Sequence, residues 1–150
     1  MKKIGIIALI ITVVSMGLNA QDDVMYKVNT VAFYNLENLF DTINDPDIFL
    51  NEEFSPEGDK NYDSEKYFKK LDNLSYVIEK VGSELTKQPP VICGISEIEN
   101  KSVVDDLVEK TRLKKYNYGV VHRDGPDERG VDVGLIYRKD FFEVTNVETY

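Results

Sequence analysis

Two short apolar runs constrain this chain most: VAFYNLENLFD over Val31–Asp41 and VICGISEIEN over Val91–Asn100. Each begins like a buried strand and ends in amides and carboxylates. Thr30–Leu36 is apolar on both faces for half its length, which suits the middle of a sheet. From Ser64 to Leu85, Tyr67, Phe68, Leu71, Leu74, Ile78, Val81 and Leu85 recur at helical spacing, which predicts an amphipathic helix packed on a core. Ser102–Leu113 brings Val103, Val104, Leu107 and Val108 to one face and predicts a second helix, capped at Asn100 or Ser102. YNYGVVH and VDVGLIYR read as strands flanking the loop RDGPDERG, and FFEVTNVETY begins another behind the turn at Lys139-Asp140. Strands interleaved with helices predict an α/β sheet with helices on its faces.

The first twenty residues stand apart from that pattern. Lys2 and Lys3 precede an apolar run from Ile4 to Leu18 that ends in Asn19-Ala20, the layout of a cleaved signal peptide. Fifteen apolar residues fall short of the roughly 20 that a bilayer-crossing helix needs. The expected organisation is a signal peptide over 1–20, a short linker over 21–29, and one domain from residue 30 to residue 150. Such a protein is periplasmic or secreted, with no stable membrane anchor after cleavage. Cys93 is the only cysteine, so an oxidising destination offers it no partner within the chain.

Charge bears on the partner. Without Lys2 and Lys3, 16 basic residues face 27 acidic ones, and the mature piece carries a net charge of −11 where the whole chain carries −9. That surface repels phosphate backbones. A phosphate-ester substrate would call for a divalent cation between protein and phosphate.

Asn35 and Glu97 sit at the exits of the two apolar strands, where the backbone is rigid and the side chain can face a cleft. Carboxylate and amide oxygens suit a hard divalent cation, and strand exits are where α/β sheets gather ligands. Duller roles stay open. Glu97 could start the turn into the next helix, with Ser96 and Glu99 as a capping box, and Asn35 could close a turn. The segment Asp41–Asp59 holds seven acids and two prolines but lacks calcium-loop spacing, so a solvated connection is expected there. Asp132 alternates with apolar neighbours in VDVGLIY and needs a partner if half buried, either Arg129 or a backbone amide.

Taken in order, VAFYNLENLFD, VICGISEIEN and RDGPDERGVDVGLIYR resemble the first three blocks of the endonuclease/exonuclease/phosphatase family, which has the deoxyribonuclease I-like fold. The block Asn-x-Glu-Asn-Leu-Phe-Asp is similar to that of exported bacterial members. The resemblance implies an α/β two-sheet sandwich with flanking helices, incomplete in this chain, that hydrolyses phosphate esters with Mg2+ or Mn2+. It implies that Glu97 is the metal-binding carboxylate and that Asn35 organises metal and phosphate. Glu37 matches a place where some members carry an acid near the site; otherwise it is a solvent-exposed or helix-start acid. The family's acid/base histidine lies in a Ser-Asp-His block, so His122 is left as a substrate contact or a partly exposed strand residue. Arg129 could clamp a phosphate or pair at the surface with Asp127 or Glu128.

The family's Gly-Asp-x-Asn and Ser-Asp-His blocks are absent from these residues. The chain therefore reads as the amino-terminal portion of such a domain, expected to be inactive alone. The expected activity of the whole is that of an exported, metal-dependent phosphodiesterase acting on DNA or RNA. A phosphatase, a lipid or sugar phosphodiesterase of the same fold, and an inactive binding protein are the alternatives. No protein partner is evident.

Export is expected to remove residues 1–20. Mass measurement of the exported protein should place Gln21 at its amino terminus, and an intact Met1 on exported material would refute the assignment.

Overall fold

The computed structural model describes residues 25–48 and 50–148. The signal peptide read at 1–20 and the start of the linker lie outside them. Among the described residues no helix is long and apolar enough to cross a membrane.

Four strands form one sheet: β1 (Val31–Leu39), β2 (Ile92–Ile98), β3 (Tyr118–Arg123) and β4 (Asp132–Arg138). Their order across the sheet is β1-β2-β4-β3. β1 and β2 run parallel, so the chain must cross over between them. The crossover carries helix α1 (Ser64–Lys80) and the one-turn helix α2 (Ser83–Thr86). Helix α3 (Lys101–Glu109) follows β2, and β3 and β4 close the sheet as an antiparallel hairpin.

Both main helices start at side-chain caps. Asp63 accepts the backbone N–H of Lys66 at 2.9 Å, and the Asn100 side chain accepts those of Ser102 and Val103 at 2.8 and 3.2 Å. Leu71, Leu74 and Ile78 of α1 join Val103, Val104, Leu107 and Val108 of α3 in one core with Leu36, Cys93, Ile95 and Ile136 of the sheet. The opposite face of the sheet carries Val31, Phe33 and Val133, which are 68%, 71% and 57% exposed. Helices on one face and apolar residues on the other agree with one half of the implied sandwich.

Four expectations need correction. β1 lies at the edge of the described sheet and not in its middle; its apolar outer residues reflect an exposed face. The long helix expected over Ser64–Leu85 breaks at Gly82, which adopts φ 69°, and this leaves Leu85 84% exposed, while Phe68 lies within the intact helix and is 47% exposed. The second helix ends at Glu109, and a 3-10 turn over Arg112–Tyr116 takes Leu113 into the core. No strand forms over residues 141–148, where the chain is irregular.

Gly82 is required by geometry. Its left-handed backbone ends α1, and a Cβ there would collide with the Thr30 side chain just before β1. Gly82→Ala should therefore destabilise the fold by about 1–2 kcal/mol, since an L-residue pays that for left-handed φ before any clash is counted. A chemical unfolding midpoint checks this, and an unchanged midpoint would contradict it.

Candidate active site at the parallel strand exits

The pairing of β1 with β2 is regular from Val31↔Ile92 to Asn35↔Ser96 and resumes at Leu39↔Ile98. Between those points β1 spends Leu36, Glu37 and Asn38 against Glu97 alone. On the other side, β4 pairs Val133 with Ser96 and Asp132 with Ile98, so Glu97 has no partner in either ladder. It is an extra residue pushed out of the sheet, a device that re-aims a side chain. Glu37, Asn38 and Glu97 all have left-handed backbones, with φ 53°, 59° and 56°. Such non-glycine conformations cost about 1–3 kcal/mol each and persist where surrounding contacts impose them.

Several contacts impose them here. The Asn35 side-chain oxygen accepts the Glu37 backbone N–H at 2.7 Å, which closes the turn at the β1 exit. Lys70 of α1 donates from Nζ to the carbonyl oxygens of Glu37 and Asn38 at 2.6 and 2.8 Å. Burial pulls the Lys70 ammonium below its usual range, opposed by the negative charges of Glu37 and Glu97. Behind Glu97, the backbone N–H of Glu99 bonds the Leu39 carbonyl at 3.0 Å and rejoins the strands.

Asn35 and Glu97 are thus brought to adjacent strand exits as expected, one position apart in register. Asn35 closes the turn that the plainer reading gave it, and its oxygen keeps one lone pair. The half-buried Glu97 carboxylate makes no hydrogen bond or ion pair among the described residues. In the same bulge, Asn38 Oδ1 is buried without a hydrogen-bond partner. Unsatisfied hard oxygens at one sheet end fit the donor set of a divalent cation.

The polar segment after β1 is the solvated connection expected for Asp41–Asp59, with five of its seven acids exposed, but it is anchored to the fold at a few buried points. Phe40 and Phe54 stack at 4.5 Å, and Asn51 is 2% exposed. Asn51 accepts the Asp45 N–H at 2.5 Å and donates from its amide nitrogen to Glu99. Glu99 also accepts the Asp41 N–H at 2.7 Å. Burial, with the charge of Asp41 adding to it, pushes the Glu99 carboxyl up to about 7 despite these bonds. Glu99 is therefore the pin that folds the segment back over the sheet end, and no capping box with Ser96 forms.

His122 is more buried than a strand-exit residue would be, with 8% of its side chain exposed. Its Nε2 lies 2.9 Å from Asp132 Oδ2, and Asp132 Oδ1 accepts the Gly125 N–H at 2.6 Å. Asp132 therefore takes His122 and a backbone amide as partners, not Arg129. Asp132 lies across from Ile98, so this pair occupies the same end of the sheet as Glu97. His122, Asp124 and Asp132 are the one group of three or more histidine, cysteine or acidic side chains among the described residues that could close on one ion. Glu97 is not in it. Arg129 grips Asp127 through two bonds of 3.0 and 2.7 Å, which hold the Asp127 carboxyl down at about 2. The surface pair is the observed arrangement, although the charge of Glu97 also reaches Arg129.

The chain belongs to the endonuclease/exonuclease/phosphatase family, whose sequence profile matches residues 30–150. Membership makes it a hydrolase of the kind that acts on phosphate esters, and enzymes of this family generally depend on a divalent metal. Searches of curated proteins and of solved structures returned no match.

Sequence reasoning missed Lys70, Asn38 and the tie of Asn51 to Glu99. The first had a faint signal, because Lys66, Lys69, Lys70 and Asn73 share one flank of a helix at spacings of three and four. Glu99→Ala should destabilise the protein by about 2–3 kcal/mol, since it strips the acceptor from a buried amide and a backbone N–H. A urea titration checks this, and a loss below about 0.5 kcal/mol would show that Glu99 does not hold the segment.

Proposed function

We propose that the protein is an exported phosphodiesterase acting on nucleic acid, with Mg2+ or Mn2+ held by Glu97 and Asn35. One observation carries this reading: a half-buried carboxylate that makes no hydrogen bond or ion pair among the described residues, pushed out of both ladders at the exit of the parallel strands. A purely structural strand exit has no use for that expenditure of strain and desolvation.

When bound, the cation would polarise a phosphoryl oxygen and offset the charge that builds during in-line attack by water. The protein's own groups orient the reacting parts. Glu97 supplies an anionic oxygen from a rigid bulge, and Asn35 a neutral one whose direction is set by its bond to the Glu37 N–H. Lys70 locks the carbonyls of the two left-handed residues so that neither oxygen donor drifts. His122 is held through Nε2 by Asp132 and has Nδ1 3.8 Å from the exposed Asp124 carboxylate, so it meets a substrate oxygen only where that oxygen takes the place of Asp124. Glu37 and Arg129 are further substrate contacts, Arg129 only after exchanging Asp127 for a phosphate. Hydrolysis breaks one P–O bond, with water adding to phosphorus and the leaving alkoxide taking a proton.

Glu97→Gln in the whole protein changes charge with almost no change of shape. It should lower metal-dependent turnover at least about tenfold while leaving the thermal melt unchanged. Unaltered turnover at limiting magnesium would sink the assignment of Glu97.

A further inference from the structure

A hollow of about 310 Å³ opens between the free edge of β1 and helix α1, with Asn35 and Glu37 on one wall and Lys66, Lys69, Lys70 and Asn73 on the other. We propose that it is a phosphate subsite, which takes the phosphate next to the scissile one along a nucleic-acid strand. The inference rests on the phosphodiesterase reading above and names the substrate as a chain of several phosphates.

Its charge sets it apart. The protein has 27 acidic and 18 basic residues, and most described cations that meet a carboxylate do so closely. Lys60 pairs with Glu53, Lys101 with Asp105, Lys110 with Asp106 and Arg129 with Asp127. None of Lys66, Lys69 and Lys70 has a carboxylate within ion-pairing distance among the described residues. Lys66 spends one N–H on the Lys60 carbonyl and Lys70 spends two on those of Glu37 and Asn38. An ammonium has three donors, so Lys66 keeps two and Lys70 one, while Lys69 makes no hydrogen bond among the described residues. Three ammonium groups against the single carboxylate of Glu37 leave the hollow with a net charge of +2. Its surroundings are acidic, so the attraction for a phosphate is confined to this place.

Position gives the ligand. Asn35 lines the hollow and also stands at the proposed cation site, so the two are contiguous. A strand whose scissile phosphate meets Asn35 and Glu97 can lay a neighbouring phosphate against Lys66 and Lys69. A diester with a single phosphate, such as a lipid headgroup, would leave the hollow unused.

The test compares the whole wild-type protein with Lys66→Gln/Lys69→Gln and with Lys114→Gln, a charge control outside the hollow. Both lysines of the double variant are exposed on a helix, so the melt should not move. Fluorescence anisotropy of a labelled single-stranded oligonucleotide is read in chelator, where no turnover occurs, across a salt series. Affinity at low salt should fall about tenfold in the double variant, and the slope of log affinity against log salt should drop by roughly 0.7 per lysine removed. The kcat/KM for an oligonucleotide should fall further than that for a chromogenic diester carrying one phosphate. Affinity and slope equal to those of wild type or of the Lys114→Gln control would overturn the subsite, as would equal losses on the two substrates. Lysine-dependent binding without hydrolysis would keep the subsite and defeat the phosphodiesterase reading; hydrolysis indifferent to the lysines would do the reverse.

Discussion

The parallel ladder between β1 and β2 is the constraint on which the rest depends, because it brings two strand exits side by side and then fails at one residue. Up to Asn35 and Ser96 the pairing is regular; past them three residues of β1 oppose Glu97 alone. Of the residues caught in that break, Glu37, Asn38 and Glu97 take left-handed backbone conformations. The core beneath holds the exits rigid, with Leu36, Leu39 and Ile98 fully buried around the break. A carboxylate placed in this way is directed by the backbone and needs little ordering when it meets a ligand.

Two polar fastenings keep that geometry in place, and both reach across the fold. Lys70 comes from α1 to hold the carbonyls of Glu37 and Asn38. Glu99 holds the segment after β1 through Asn51 and the Asp41 N–H, while Phe40 and Phe54 stack beneath. Burying a carboxyl is unfavourable, and burial is the main reason Glu99 is displaced upward. Its bonds offset part of it and fix where an otherwise polar segment lies. The same acidity that burdens Glu99 makes the uncompensated lysines beside Asn35 conspicuous, since charges elsewhere on the helices are largely paired.

The hairpin of β3 and β4 adds a third polar group to this end of the sheet. Asp132 is 9% exposed and divides its two oxygens between His122 and the Gly125 N–H. Both ends of the loop 124–131 are thereby tied to one carboxylate. Arg129, in the middle of that loop, stays at the surface with Asp127.

Periodicity alone determined the strands β1 to β4 and the two main helices, because burial of an apolar face imposes a repeat of two or of 3.6 residues. The cap at Asn100, offered beside Ser102, and the helix-to-sheet core were legible for the same local reasons, as was the placing of Asn35 and Glu97 at strand exits, while the family was legible in its three motif blocks and the cap at Asp63 was not read. Tertiary structure decided the rest. Whether Thr30–Leu36 lies inside a sheet or at its edge depends on which strands pair, and no single strand encodes that. Gly82 broke a helix whose apolar spacing ran on to Leu85, because the chain had to turn back past Thr30. The grip of Lys70, the pairing of His122 with Asp132 and the tie of Asn51 to Glu99 join residues 10 to 48 positions apart, and the bulge at Glu97 lies between pairs 59 and 61 positions apart. Such contacts follow from how elements pack against one another, and a linear pattern records only what each element does by itself.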